Sequence, residues 1–110
     1  MVHRLVVSYG QPSDPAAFDD YYRDTHVPLA MEMPGVIRFS TGHAQPIDPS
    51  QQAPYFVAEL DFESEEAMGE AFGSPEGKAA AADVANFATG GATMAHFDVH
   101  EIQVGMPNLP

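Results

Sequence analysis

The sequence predicts an α+β domain: a ferredoxin-like βαββαβ unit with one four-stranded antiparallel sheet. Three observations lead there. Short runs rich in β-branched and aromatic residues, "VHRLVVSY" and "YFVAELDF", read as strands. Helix-start signals stand at Asp14-Pro15, Ser64 and Ser74-Pro75. The resulting order is strand, helix, strand, strand, helix in two pieces, strand, which is the split βαβ arrangement.

Each element has its own justification. Residues 2–9 form the first strand, and "GQPSDP" breaks it. From Ala16 the apolar positions Phe18, Tyr21, Tyr22, Thr25 and Leu29 fall close to helical spacing. Pro28 biases Val27 away from the helical region, so the helix is expected to end near His26. Pro34-Gly35 is a turn that opens a second strand over 36–41. The stretch "AQPIDPSQQAP" is a loop. On the third strand Phe56, Ala58, Leu60 and Phe62 share one face, and Tyr55, Val57, Glu59 and Asp61 the other. Ser64 caps a helix carrying Ala67, Met68, Ala71 and Phe72. The next helix has Ala80, Val84 and Phe87 as its apolar stripe, and "TGG" ends it. Residues 92–104 are expected to form a long last strand, with 105–110 as a tail. One domain spans 1–104, with no internal repeat.

Composition narrows the function classes. The 110 residues fit one domain with a modest core. There is no cysteine, which removes disulfides and thiolate chemistry together. The net charge is -12 with four Lys and Arg, too few for the phosphate contacts of nucleic-acid binding, and anionic membrane surfaces are disfavoured likewise. No apolar run approaches the ~20 residues of a membrane span. "MVHRLVVSYG" lacks a cleavage site and reads as a strand, so a cytoplasmic location is expected.

Helices cover one face of such a sheet. With Phe97 and Val99 toward the helices, the last strand would turn Met94, His96, Asp98, His100 and Ile102 to the other face. That face would mix apolar and polar side chains, and pairing two sheets around it predicts a homodimer. Phe18, Tyr22 and His26 stand four apart on one helical stripe. His26 is the candidate general acid or base, with Tyr22 sharing its cavity or orienting it. Tyr9 and Tyr55 are candidate cavity hydroxyls. Arg38 is a candidate for holding a carboxylate or phenolate, against the alternative of a salt bridge. In "HFDVH", His96 and His100 lie about 13 Å apart along a strand, too far to share a metal ion comfortably. His96 is therefore expected as polar lining or a dimer contact, and no metal is expected.

The stretch "FDDYYRDTHVPLAMEMPGV" resembles the EthD family, named for a protein of ethyl tert-butyl ether degradation. The resembling pattern is F-x-x-Y-Y, then H-x-P-L, then M-P-G-V, and the topology is similar over residues 2–104. The resemblance implies a dimeric α+β barrel with a cavity, between the helices and sheet of each subunit or in the barrel, for a small, mostly apolar, aromatic or lactone-like molecule. It implies no cofactor. The same histidine before M-P-G is catalytic in methylmuconolactone methylisomerase, which places that role on His26. That isomerase also uses a tyrosine on the following strand, where this chain has Phe39, and cysteines, which this chain lacks. The activities implied are cofactor-independent isomerisation, cyclisation or monooxygenation. The alternative is a non-catalytic carrier or accessory protein of a degradation pathway. A haem-handling barrel is a third class, but no histidine here matches a haem ligand.

Overall fold

The computed structural model describes residues 1–105. The strands are β1 (His3–Tyr9), β2 (Arg38–His43), β3 (Phe56–Phe62) and β4 (Ala92–Asp98). They form one antiparallel sheet in the order β2-β3-β1-β4. Residues 106–110, most of the expected tail, lie outside the described residues.

The helical layer packs on the face formed by alternate residues of β1 and β3. Leu5, Val7 and Tyr9 bury there beside Phe56, Ala58, Leu60 and Phe62. Asp14 caps α1 (Pro15–Tyr21) by accepting from the Ala17 N–H, with Pro15 in the first turn. Ser64 caps α3 (Glu65–Gly73) and Ser74 caps α4 (Pro75–Asp83) in the same manner. Gly35, at φ 83°, occupies the left-handed region that the Pro34-Gly35 turn requires.

One helix departs from expectation. It does not end near His26. A π-turn spans Tyr22–His26, and α2 (Val27–Met31) continues beyond it. In a continuous α-helix Pro28 would clash with the carbonyl four residues back. The chain widens instead, and the Val27 N–H bonds the Tyr22 carbonyl five residues back. The widening also aligns side chains. Four-residue spacing drifts by about 40° per step on a regular α-helix. The wider turn takes up that drift, so Phe18, Tyr22, His26 and Ala30 all bury on the inner side.

The other correction concerns β4. It stops at Asp98, so His100 and Ile102 follow it outside the sheet. Its register pairs Met94 with Val7, His96 with Leu5 and Asp98 with His3. Cross-strand partners share a face, so Met94, His96 and Asp98 lie on the helix side. Phe97 instead stands opposite Arg4 on the outer face. That outer face is still mixed. It carries Val6, Val57, Glu59 and Phe97, with the row Arg4–Asp61–Arg38 running across three strands. Arg4 grips Asp61 through two bonds, of 2.7 and 3.0 Å.

The two C-terminal helices meet closely. A Cβ added at Gly77 would overlap the Ala71 carbonyl and the Phe72 backbone of α3. Gly77→Ala is therefore expected to destabilise the fold by roughly 1–3 kcal/mol, although alanine is the better helix former. The midpoint of urea unfolding measures it.

Candidate active site

The site grows from the inner side of the widened helix. Tyr22 and His26 pack with Phe87, with ring centroids 5.6 Å and 4.7 Å from its own. Tyr9 reaches the same cluster from β1, 5.8 Å from Tyr22. His26 is 6% exposed, and its Nδ1 lies 2.9 Å from Oδ2 of Asp83, at the end of α4. The other carboxylate oxygen of Asp83 accepts from the Tyr21 hydroxyl at 2.6 Å and the Asn86 amide at 3.0 Å.

Asp83 is the electrostatic anchor. Burial pushes its pKa up, but bonds from Tyr21, Asn86 and His26 outweigh burial and hold it below its ordinary value. An ionised carboxylate only accepts, so the bonded Nδ1 of His26 carries the proton. This leaves Nε2 as the chemically available nitrogen. Among the described residues no fully buried side-chain nitrogen or oxygen lacks a partner. Nε2 has no partner among the described residues, so it is not fully enclosed, and His26 lines the adjoining space. A carboxylate that fixes the tautomer and orientation of an imidazole is a recurring arrangement where histidine moves protons.

That space is an apolar cavity between sheet and helices. Leu5, Val7, Met33, Leu60, Phe72 and Met94 supply much of its wall. It is narrow, about 30 Å³, room for roughly two waters. Of the residues singled out in the sequence, His26, Tyr22, Tyr9 and Phe39 line it. Burial pushes the Tyr9 phenol up to about 12 and the Tyr22 phenol higher still. Both hydroxyls are therefore neutral donors near pH 7 and not bases.

The remaining candidates stand elsewhere. Arg38 is exposed on the outer face, in the row with Asp61. Tyr55 donates to Asp19 at 2.9 Å beside His43, around a separate open groove. His96 lies on the helix side of β4, next to the wall residue Met94 but off the wall itself. Among the described residues no group of three or more His, Cys, Asp or Glu is placed to hold a metal ion. None of their helices is long and apolar enough to cross a membrane.

Sequence reasoning missed Asp83, Tyr21 and Asn86. A signal existed for Asp83. It is the one acidic residue in "KAAAADVANF", and it adjoins the stripe Ala80, Val84 and Phe87.

Asp83 and Asp61 give the site and sheet a definite acid response. Burial opposes the shift at Asp83, while at Asp61 the Arg4 bond is the main cause, and both sit below the ordinary 3.8. Folded-state values below the unfolded ones mean that the native state binds fewer protons in acid. Their stabilisation is full above about pH 4 and is lost as pH falls through the lowered values. Urea unfolding is therefore expected to shift to lower midpoints below pH 4. Asp61→Asn and Asp83→Asn are expected to approach wild type there.

The EthD domain model matches residues 10–91. With the fold and the helix motif it defines, the chain belongs to the EthD family. It is 48% identical over 97 residues, 88% of this chain and 94% of the other, to the uncharacterized 11.0 kDa protein in the thcB-thcC intergenic region of Rhodococcus erythropolis. An ethyl tert-butyl ether degradation (EthD) family protein of Bacillus halodurans superposes with a TM-score of 0.81 at 28% identity, covering 91% of this chain and 100% of that one. SnoaB of Streptomyces nogalater, a cofactor-independent oxygenase, shares the fold with a TM-score of 0.62 at 15% identity, covering 92% and 94%.

Proposed function

We propose that this EthD-family chain binds a small, mostly apolar molecule in the cavity beneath its sheet, with His26 as general acid or base. The chemistry is proton transfer without a cofactor, serving isomerisation, cyclisation or oxygenation of an aromatic or lactone-like compound. One observation supports the reading: Asp83 holds Nδ1 of His26, and His26 lines the cavity with no bond to its Nε2 among the described residues. Tyr9 and Tyr22 supply neutral hydroxyls beside it, suited to steadying a developing oxyanion. The cofactor-independent chemistry of SnoaB, on the same fold, is compatible with this.

A second reading is a carrier or accessory protein. It would bind in the same cavity without turnover, and either reading needs the cavity to widen, since ligand sites usually hold about 300 Å³ or more. Met33 and Met94 are among the wall residues, and methionine is well suited to such repacking.

A thermal-shift screen of aromatic and lactone compounds separates the two readings. The variant is His26→Asn, whose amide can still donate to Asp83. The enzyme reading expects compounds that stabilise wild type more than the variant and are converted only by wild type. A compound that stabilises both equally and is never converted supports the carrier.

The chain is proposed to act as a homodimer through its outer sheet face. Val6, Val57 and Phe97 there are too apolar for open solvent, and Glu59, Asp61 and the arginines too polar for a dry core. Sedimentation at micromolar concentration is expected to give twice the chain mass. Phe97→Asp is expected to shift the distribution toward monomer. A wild-type monomer would sink the assignment.

A further inference from the structure

His3 is the other buried histidine, 3% exposed, and the site described above does not use it. It stands opposite Asp98 and diagonal to His96 on the helix side of the sheet. Its Nδ1 lies 2.7 Å from Oδ1 of Asp98, and its Nε2 lies 2.9 Å from Nδ1 of His96. Both nitrogens of a buried ring are thus committed, in a continuous chain from carboxylate to imidazole to imidazole.

The chain has a direction. An ionised carboxylate only accepts, so neutral His3 places its one proton on Nδ1, toward Asp98. Nε2 of His3 must then accept, and His96 donates to it from Nδ1. His96 is left with a bare lone pair on Nε2, on an exposed ring. That ring follows Met94 along β4 and pairs across with Leu5, and both Met94 and Leu5 line the His26 cavity.

We propose that Asp98, His3 and His96 form a second polar site on the β4 side of that cavity, next to Met94, where Nε2 of His96 accepts the O–H of a bound phenol or enol. His96 is the binding group, and His3 and Asp98 are positioning residues. A neutral O–H fits better than a carboxylate, because Asp98 lies close by and the chain carries a net charge of -12. The inference rests on the cavity reading above and adds the polar end of the ligand.

Long-range ¹⁵N–¹H NMR of the imidazoles at neutral pH tests the relay without a ligand. His96 is expected to be protonated on Nδ1 and bare on Nε2, and Asp98→Ala is expected to relax it to a tautomer mixture. A His96 protonated on Nε2 overturns the relay. Titration with 4-ethylphenol and with its methyl ether then tests the ligand class. Both compounds are expected to shift the Met94 methyl signal. Only the phenol is expected to move His96 Nε2, binding about tenfold tighter than the ether, and His96→Phe is expected to erase the preference. If both compounds move Met94 alike and neither moves His96, or the phenol moves His26 Nε2 instead, the second site is overturned and the cavity stands. If neither compound moves Met94, the cavity reading fails and the ligand class falls with it, while the tautomer still decides the relay.

Discussion

Asp83→Ala is expected to cost about 3–5 kcal/mol of folding stability, the largest loss from any single polar side chain here. The carboxylate is 7% exposed and accepts from three donors: Tyr21 and His26 on the widened helix, and Asn86 after α4. Alanine would leave the buried Nδ1–H of His26 without an acceptor, together with two further donors. The loss is spread over the contact between the widened helix and the end of α4, so unfolding should remain cooperative with a lower urea midpoint. Should alanine not fold, Asp83→Asn retains a carbonyl acceptor and is expected to lose roughly half as much. Wild-type stability in the asparagine variant at pH 7 would refute the anchoring role.

His26→Asn is expected to lower turnover of any converted compound by about 10²- to 10⁴-fold while costing little stability. The amide nitrogen of asparagine stands near the position of Nδ1 and can keep the bond to Asp83, while Nε2 is deleted. Stability and activity therefore separate in this variant, and they fall together in Asp83→Ala. Pre-steady-state or single-turnover rates check it, since they isolate the proton-transfer step from release. Equal rates in wild type and variant would remove His26 from the chemistry.

Much of the fold is legible because its signals are local. Ser64, Ser74 and Asp14-Pro15 cap where they stand in sequence, and the alternation of Phe56, Ala58, Leu60 and Phe62 fixes the inner face of β3. The face of β4 is not legible in the same way. Thr93, Ala95 and Phe97 alternate with Met94, His96 and Asp98, and each set mixes apolar with polar. Only pairing with His3, Leu5 and Val7 on β1 decides which set turns inward. The widened turn is hidden because Pro28 signals a helix end equally well. It becomes a continuation only when the burial of Ala30 and Met33 rewards it. Of the candidate site, the cavity-lining residues His26, Tyr22 and Tyr9 are legible, through helical spacing, the family motif and strand alternation. Asp83 lies 57 residues from His26, and no local pattern links the two.

On the proposed function, the cavity beneath the sheet receives a ligand within reach of Nε2 of His26. A crystal structure with the compound that gives the largest thermal shift tests it most directly. The compound is expected between sheet and helices, against Leu5, Val7 and Met94, with a polar or acidic C–H atom in hydrogen-bonding or near-attack range of Nε2, and Nδ1 still on Asp83. A compound bound in the groove beside His43 and Tyr55, or on the outer sheet face, with the His26 cavity closed, would contradict it.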